Sequence, residues 1–200
     1  MQHELRAILD RFIYEHAGVR HLLFAAPPGA DARVLPGTGW TTVQLVAHFA
    51  SAQERYAAVT SRWLSDVGAI SADELDPDES SARAEVEPAE TARAAVLERY
   101  AASLRGLFDA FQQIRPGQLE EAIGPASARQ VLSRWSEHQL LHIFPFVQAL
   151  PETRYDPVIV NWLARTPVPN DVVRAQQQEY IADVREYYAH LAEDEGEPDD

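Results

Sequence analysis

Apolar residues recur every three or four positions along most of the chain, which is the spacing of one face of an α-helix. The first such stretch runs from Leu5 to Leu23 and predicts a helix over residues 3–25, which Pro27-Pro28-Gly29 ends. No segment alternates apolar and polar residues on both sides of a turn, so we expect no strand-turn-strand unit. The pattern as a whole predicts an all-α fold.

A second helix is predicted from Trp40 to about residue 66. Thr41 and Gln44 fit a capping box, in which the hydroxyl accepts a backbone N–H and the Gln44 side chain reaches back to the cap. Trp40 precedes the cap, and we expect its ring to pack back on the first turn. The buried stripe of this helix consists of Leu45, Val46, Phe49, Tyr56, Val59 and Trp63.

Three more main helices follow from the same spacing. One is predicted from Pro88 to Arg115, one begins at a capping box of Ser127 and Gln130, and the last is capped by Asn170. A short helix around residues 158–163 is expected between the last two. The simplest arrangement is a four-helix bundle with an additional C-terminal helix.

Two features interrupt this pattern. Residues 67–87 form an acidic connection, in which Ser71 and Glu74 fit a capping box for a short helical turn. Pro145 lies inside the fourth helical pattern, where a proline removes one backbone hydrogen bond. We expect either a kink about one turn beyond His142 or a helix that stops near Ile143 and resumes.

The length of 200 residues is enough for one domain with a full core. We interpret residues 1–192 as a single helical domain and residues 193–200 as an acidic, disordered tail. The formal charge is −14, from 31 acidic and 17 basic residues, which argues against nucleic acid as a partner.

The composition also restricts location and chemistry. No apolar run approaches the roughly 20 residues that span a bilayer, and the N-terminus lacks the features of a secretory signal. We therefore expect a soluble cytoplasmic protein without a membrane partner. The chain contains no cysteine, which excludes disulfides, thiolate zinc sites and cysteine nucleophiles. Any metal is held by imidazole, carboxylate or water, and any thiol comes from outside the chain.

His138 and His142 are the most informative residues for function. Four residues apart on a helix, their imidazoles leave the same face, which is otherwise apolar. Two imidazoles aimed at a core are costly without partners, and a divalent metal satisfies both. His48, on the apolar side of the second helix, supplies a third ligand. The alternative is that all three are core histidines bonded to carbonyls or waters.

The surroundings of these histidines resemble a known family. Trp40, Thr41 and His48 match the second-helix signature of the DinB-like superfamily, in which a tryptophan and a hydroxyl cap precede a helix that carries a histidine. The segment 135–142 is similar to the later H-x3-H of that family, and the separation of about ninety residues also matches. The resemblance covers roughly residues 3–150.

The resemblance implies a fold, ligands and partners. It implies a four-helix bundle with the metal near one end, held by His48, His138 and His142. Members bind Zn, Ni or similar ions, often form homodimers, and in some cases use an external low-molecular-weight thiol. Two departures affect the pocket: the apolar segment 143–146 after the last histidine, and the C-terminal helix beyond the shared core.

Several functions stay open at this point. The favoured one is a metal-dependent transferase or isomerase that uses a thiol and a small-molecule substrate, and metal-dependent hydrolysis is close behind. A non-catalytic module that binds a metal or ligand is the alternative. No catalytic acid or base is assigned: Tyr56 is expected mainly to pack in the core, and Arg55 and Arg134 are candidates for binding an anionic substrate. Glu137 is expected to support the ligands rather than to bind metal.

Overall fold

The computed structural model describes residues 3–35, 39–76, 92–168 and 170–194, and most of them are helical. This agrees with the predicted all-α class. The α-helices are α1 (His3–Ala25), α2 (Thr42–Leu64), α3 (Arg93–Phe111), α4 (Ala128–His138), α5 (Leu140–Gln148), α6 (Pro157–Arg165) and α7 (Asp171–Asp194). Short 3₁₀ helices lie at Ala30–Ala32, Asp73–Leu75 and Gln118–Glu120. No helix in the described ranges is both long and apolar enough to cross a bilayer.

Three of the predicted helix starts are confirmed by their caps. At the start of α2, Gln44 N donates to Thr41 Oγ1 at 3.2 Å, and Thr41 N donates to Gln44 Oε1 at 2.8 Å. Ser127 and Gln130 form the same reciprocal pair at the start of α4. The side-chain oxygen of Asn170 accepts the N–H of Val173 at 3.0 Å, which caps α7. Local sequence therefore sets where these helices begin.

The acidic connection is described only in part. Its predicted turn is present, because Ser71 N donates to Glu74 Oε2 at 2.9 Å beside the 3₁₀ helix. The rest of the connection, including the predicted helix start at Pro88, lies outside the described residues. Of the predicted tail, Glu193 and Asp194 complete α7, and residues 195–200 are not among those described.

A small hairpin contradicts the expectation that the chain has no strand-turn-strand unit. Ala122–Ile123 pairs antiparallel with Ala126–Ser127. Gly124, in the turn, has a φ of +58°, and a Cβ there would lie 2.7 Å from the carbonyl oxygen of Ile70. Strands of two residues are too short to show alternation in a sequence, which is why the pattern gave no sign of them.

The interruption of the fourth predicted helix lies at Gln139, which is before His142 and not beyond it. Pro145 is inside α5. A proline ring crowds the carbonyl four residues earlier, here that of Leu141, and cannot donate to it. The disturbance therefore falls on the N-terminal side of the proline. Both predicted alternatives, a kink beyond His142 or a stop near Ile143, were wrong in position.

The helices pack around two apolar clusters. α2 lies along α3, α1 contacts α3, α4 and α6, and α7 covers α5 and α6. The first cluster includes Leu22, Val46, Tyr100, Ile143 and Leu163. The second includes Leu9, Phe12, Val59, Phe111 and Trp135. Helices α1, α2 and α3, and the α4–α5 pair, each contribute to both clusters.

A set of buried polar residues lies near the point where each helix passes from one apolar cluster to the other. We call this set the polar layer. It consists of Glu15, His16, His48, Ser51, Gln53, Ser103, Ser136, His138 and Gln139, all of which are buried. Since α1, α2, α3 and the α4–α5 segment all contribute, the layer crosses the interior of the helical assembly. Two of the three predicted ligands belong to it, and His142 is at its partly exposed side.

Candidate metal centre

The structure brings the three predicted ligands together. The Nε2 atom of His138 lies 3.3 Å from Nε2 of His48 and 3.3 Å from Nε2 of His142. One ligand nitrogen from each residue lies within 4.8 Å of the other two. His48 and His138 are each 1% exposed, and His142 is half-buried. Residues separated by about ninety positions in the sequence therefore meet at one point.

These distances fit a common cation. Metal–nitrogen bonds of about 2.0–2.1 Å in tetrahedral geometry place neighbouring nitrogens about 3.3–3.4 Å apart. A hydrogen bond between two imidazoles has a similar length, but Nε2 of one neutral ring carries either one proton or one lone pair. Nε2 of His138 faces two other ring nitrogens at the same time. A cation among them satisfies all three lone pairs at once.

Aromatic rings enclose the centre on the α2 side. The ring of Trp40 lies over that of His48, with 4.5 Å between centroids, and 6.2 Å from that of His142. Phe49 is 6.1 Å from the His142 ring. Trp40 precedes the helix cap as expected. Its ring contacts His48 in the second turn of α2, whereas the sequence predicted contact with the first turn. These rings limit the rotation of the imidazoles and exclude water from one side of the centre.

Tyr56 contacts the centre through its hydroxyl group. This oxygen lies 3.1 Å from Nδ1 of His138, and the residue is 0% exposed. Its ring stacks on Trp135 at 4.5 Å with an interplanar angle of 11°. The indole of Trp135 in turn donates to the carbonyl of Leu75 at 3.1 Å. Tyr56 therefore packs in the core, as expected, and its hydroxyl group also contacts His138.

The interruption at Gln139 sets the spacing of the last two ligands. The backbone N–H of His142 donates to the carbonyl of Gln139, three residues back, at 3.1 Å. This tighter turn lies between the two histidines. The pair therefore does not sit on one regular helix, although both imidazoles still face the same point.

Two glutamates that lie near the histidines in the sequence are not ligands of the centre. Glu54 pairs with Arg99 at 2.7 Å. Glu137 accepts from Arg11 at 3.3 Å. Both lie outside the one group of potential ligands found among the described residues.

The two arginines proposed for an anionic substrate bind Asp76, which lies within the acidic connection. Arg55 donates to the carbonyl of Asp76 at 2.8 Å. Arg134 pairs with the side chain of the same residue at 3.4 Å. Nothing in these contacts directs either guanidinium towards the three histidines.

Sequence reasoning missed a group of buried polar residues beside the centre. Glu15 is 0% exposed, and burial raises its pKa well above the usual range; Arg11 opposes this shift and Glu137 adds to it. Gln53 and Gln139 are also fully buried. Glu15 follows the helical spacing of Phe12, but charged residues in such positions are rarely buried, so the pattern gave no reason to place it inside.

Comparisons with models of protein families, with curated proteins and with solved structures found no match to this chain. What distinguishes the chain is therefore the geometry described above: three imidazoles, two of them buried, that converge on one point.

Proposed function

We propose that this protein binds a divalent metal ion through His48, His138 and His142. The observation that supports the proposal is the convergence of three ring nitrogens within 4.8 Å of one another in a largely buried position. Imidazole ligands favour Zn or Ni among the common ions, and the missing cysteine removes thiolate competition.

A catalytic centre fits this ligand set better than a structural one. Structural zinc sites are closed by four protein ligands, whereas catalytic sites keep a position open for water or substrate. In the described part of the chain, the group contains three ligands and no fourth. His142 is half-buried, so the centre has an exposed side. A bound ion supplies Lewis acidity and lowers the pKa of a bound water or thiol.

The reaction that we favour is transfer or isomerisation with an external low-molecular-weight thiol and a small-molecule substrate. This part of the proposal rests on the sequence resemblance to the DinB-like superfamily. On the same basis we propose a four-helix bundle, a cytoplasmic location and a homodimer. The chain itself has no thiol, so a thiol nucleophile has to come from a co-substrate. Metal-dependent hydrolysis uses the same centre with water as the nucleophile.

Metal analysis of the full chain tests the binding proposal. We expect protein purified without added ions to contain a stoichiometric metal, and His138→Ala/His142→Ala to contain none. His190→Ala, an exposed histidine on α7, is the matched control and should retain the metal. Equal metal content in the wild type and the double variant would falsify the centre. Anomalous scattering from a crystal then locates the ion.

A second experiment separates an enzyme from a binding module. Thiol conjugation is measured over a panel of electrophilic substrates, with and without a chelator, and ester hydrolysis is measured in parallel. We expect turnover that the chelator abolishes and added metal restores. A metal-loaded protein without chelator-sensitive turnover on either panel supports the non-catalytic module.

A further inference from the structure

A cleft opens between the 3₁₀ helix Asp73–Leu75, the small hairpin and the first turns of α4. Its volume is about 370 Å³, within the range of about 300–1,000 Å³ that is typical of sites for small molecules. Most of its walls are apolar and are formed by Ala72, Leu75, Pro125, Ala126 and Val131. Its two polar lining side chains are Gln130 and Arg134, both on α4. Apolar walls with a few polar groups are the usual composition of a ligand pocket.

Contacts behind the walls hold this cleft open in one shape. The indole of Trp135 donates to the carbonyl of Leu75 at 3.1 Å, which fixes the 3₁₀ helix on α4. In the hairpin turn, a Cβ at Gly124 would lie 2.7 Å from the carbonyl oxygen of Ile70, so the hairpin packs directly on the segment before that helix. Because the walls are already ordered, a ligand can bind without first ordering the chain.

The rim of the cleft, formed by Gln130 and Arg134, presents hydrogen-bond donors. The two residues are four positions apart on α4 and therefore share one face. Gln130 Oε1 accepts the N–H of Ser127 at 3.1 Å, which orients the amide, and its Nε2 has no acceptor within the described ranges. In the same ranges the guanidinium of Arg134 contacts one group, the side chain of Asp76, at 3.4 Å. That distance exceeds the roughly 2.7–2.9 Å of a strong charge-assisted hydrogen bond.

The chemistry of the walls and the rim selects the occupant. A guanidinium and an amide nitrogen offer donors only, so they oppose a cation and favour an anionic acceptor, and a planar carboxylate matches the fork of Arg134. Asp76 stands beside that fork and disfavours a second negative charge on the ligand. The apolar walls favour a ligand whose remaining surface is apolar, because its burial removes that surface from water.

We propose that this cleft binds a small apolar monocarboxylate, with the body of the molecule against the walls and the carboxylate at Gln130 and Arg134. None of the three candidate metal ligands is among the residues that line the cleft. The site is therefore distinct from the metal centre, and binding does not depend on whether a metal is present.

A matched pair of probes tests the selection for charge. 1-Naphthaleneacetate and 1-naphthaleneacetamide share the same apolar body, and only the first carries a negative charge. Isothermal titration calorimetry should show saturable binding of one acid per chain, with the amide bound about fivefold more weakly, the effect of one exposed ion pair. No saturable binding of the acid, or equal affinity for the two probes, would overturn the proposal.

Nuclear magnetic resonance of the tryptophan side chains shows where the probe binds. The indole N–H of Trp135 should shift on titration with the acid, because it is bonded to Leu75 in the cleft wall. Trp162 is the control in the same spectrum, because it packs on Gly18 in the other apolar cluster, and it should not shift. A shift of Trp162 without a shift of Trp135 would place the binding elsewhere and would overturn the proposal.

Filling the cleft should remove binding. Ala72 lines the cleft and is exposed, so Ala72→Trp can occupy the space without disturbing the core. We expect it to abolish binding of the acid, whereas Ala182→Trp, the same change at an exposed alanine of α7, should bind as the wild type does. Wild-type affinity in Ala72→Trp would contradict the site. If circular dichroism shows that Ala72→Trp is unfolded, the shift of Trp135 in the wild type decides.

Removing the charge at the rim should remove the preference for the acid. Arg134→Gln should lower the affinity for 1-naphthaleneacetate about fivefold, to that of the amide, and leave the amide unaffected. Arg174→Gln is the matched control, because Arg174 is an exposed arginine of α7 that pairs with Asp171. It should retain the preference. A preference for the acid that persists in Arg134→Gln would overturn the assignment of the carboxylate to this rim.

Discussion

The hydroxyl of Tyr56 lies 3.1 Å from Nδ1 of His138, on the side of the ring opposite to the nitrogen that faces His48. A metal on Nε2 uses the lone pair of that nitrogen, so a neutral imidazole must carry its proton on Nδ1. In that tautomer the phenol oxygen accepts the Nδ1–H. Tyr56 therefore partners the tautomer that binds a metal and also fixes the ring orientation.

Removal of this hydroxyl should weaken metal binding. In Tyr56→Phe the ring still fills its place against Trp135, but Nδ1 of His138 loses its acceptor. We expect metal affinity to fall about 10–100-fold, the usual effect of removing a hydrogen bond to a ligating histidine. Affinity is measured by competition with a chromophoric chelator.

A second buried tyrosine provides the control for this change. The hydroxyl of Tyr180 donates to the carbonyl of Arg154, away from the histidines. Tyr180→Phe should reduce stability without a change in metal affinity. If both variants bind metal as the wild type does, Tyr56 has no role in positioning His138.

The spacing of His138 and His142 gives a second prediction. Pro145→Ala restores a backbone donor and removes the crowding of the Leu141 carbonyl, so the interrupted segment should become more regular. We expect metal affinity to fall by about tenfold because His142 rotates relative to His138. Competition titration measures the affinity, and circular dichroism measures the helix content.

Pro157→Ala is the matched control for the proline change. Pro157 is the first residue of α6, where a proline is tolerated because that N–H has no intrahelical partner. Its replacement should leave metal binding unaltered. Unchanged affinity in Pro145→Ala would mean that the break at Gln139 does not depend on the proline.

These residues also mark what the sequence could predict. Helix starts at Thr41 and Ser127 depend on side chains three residues away, so local spacing was sufficient. The three candidate ligands were identifiable because histidines on apolar faces are conspicuous. The contact of Tyr56 with His138 depends on how α2 is aligned with α4, and no periodicity within one helix contains that information.

The position of the helix break is an instructive failure. Pro145 was expected to interrupt the helix, but the break was placed on the wrong side of the residue. The carbonyl that a proline crowds lies four positions earlier, and this rule moves the break towards Gln139. The burial of Glu15 has a different origin: it depends on how α1 packs against the other helices, which no single segment predicts.

Close packing of α1 against α6 gives a third prediction. A Cβ at Gly18 would lie 2.0 Å from the indole of Trp162, so Gly18→Ala forces the two helices apart. We expect a loss of about 1–3 kcal/mol in the free energy of unfolding, typical of overpacked cores. Urea denaturation measures this loss.

Gly106 on α3 is the matched control, because nothing lies within 4 Å of a Cβ built there. Gly106→Ala should instead gain about 0.5–1 kcal/mol, since alanine loses less backbone entropy in a helix than glycine does. A stability loss of equal size in both variants would show that the contact with Trp162 is not the cause.

The buried carboxyl of Glu15 makes stability depend on pH in an uncommon direction. Its pKa in the folded state is raised by burial above the unfolded value, so the folded state binds the proton more tightly. The stability that Glu15 contributes is fully present at pH values below its unfolded pKa. It falls as the pH rises towards its folded pKa, by about 1.4 kcal/mol per pH unit. Glu15→Gln should abolish this loss, and parallel pH profiles for the two proteins would contradict it.

His16 acts in the opposite direction. Burial lowers its pKa from 6.5 to about 4, with Arg20 and Arg105 adding to the shift, while its ring packs on Tyr100. The unfolded chain therefore takes up a proton first, and the contribution of His16 to stability falls as the pH drops from 6.5 towards about 4. In His16→Phe, which keeps a ring against Tyr100, this acid-side loss should disappear.

The two neighbouring groups can be separated because their slopes oppose each other. Between the unfolded pKa of Glu15 and that of His16 the two effects oppose each other in the wild type, so its stability changes less with pH there than either group alone would make it change. Glu15→Gln should expose the rising slope of His16 with pH, and His16→Phe should expose the falling slope of Glu15. Urea unfolding at a series of pH values measures both slopes. A double variant with either slope remaining would show that another group is responsible, because neither titrating side chain is present in it.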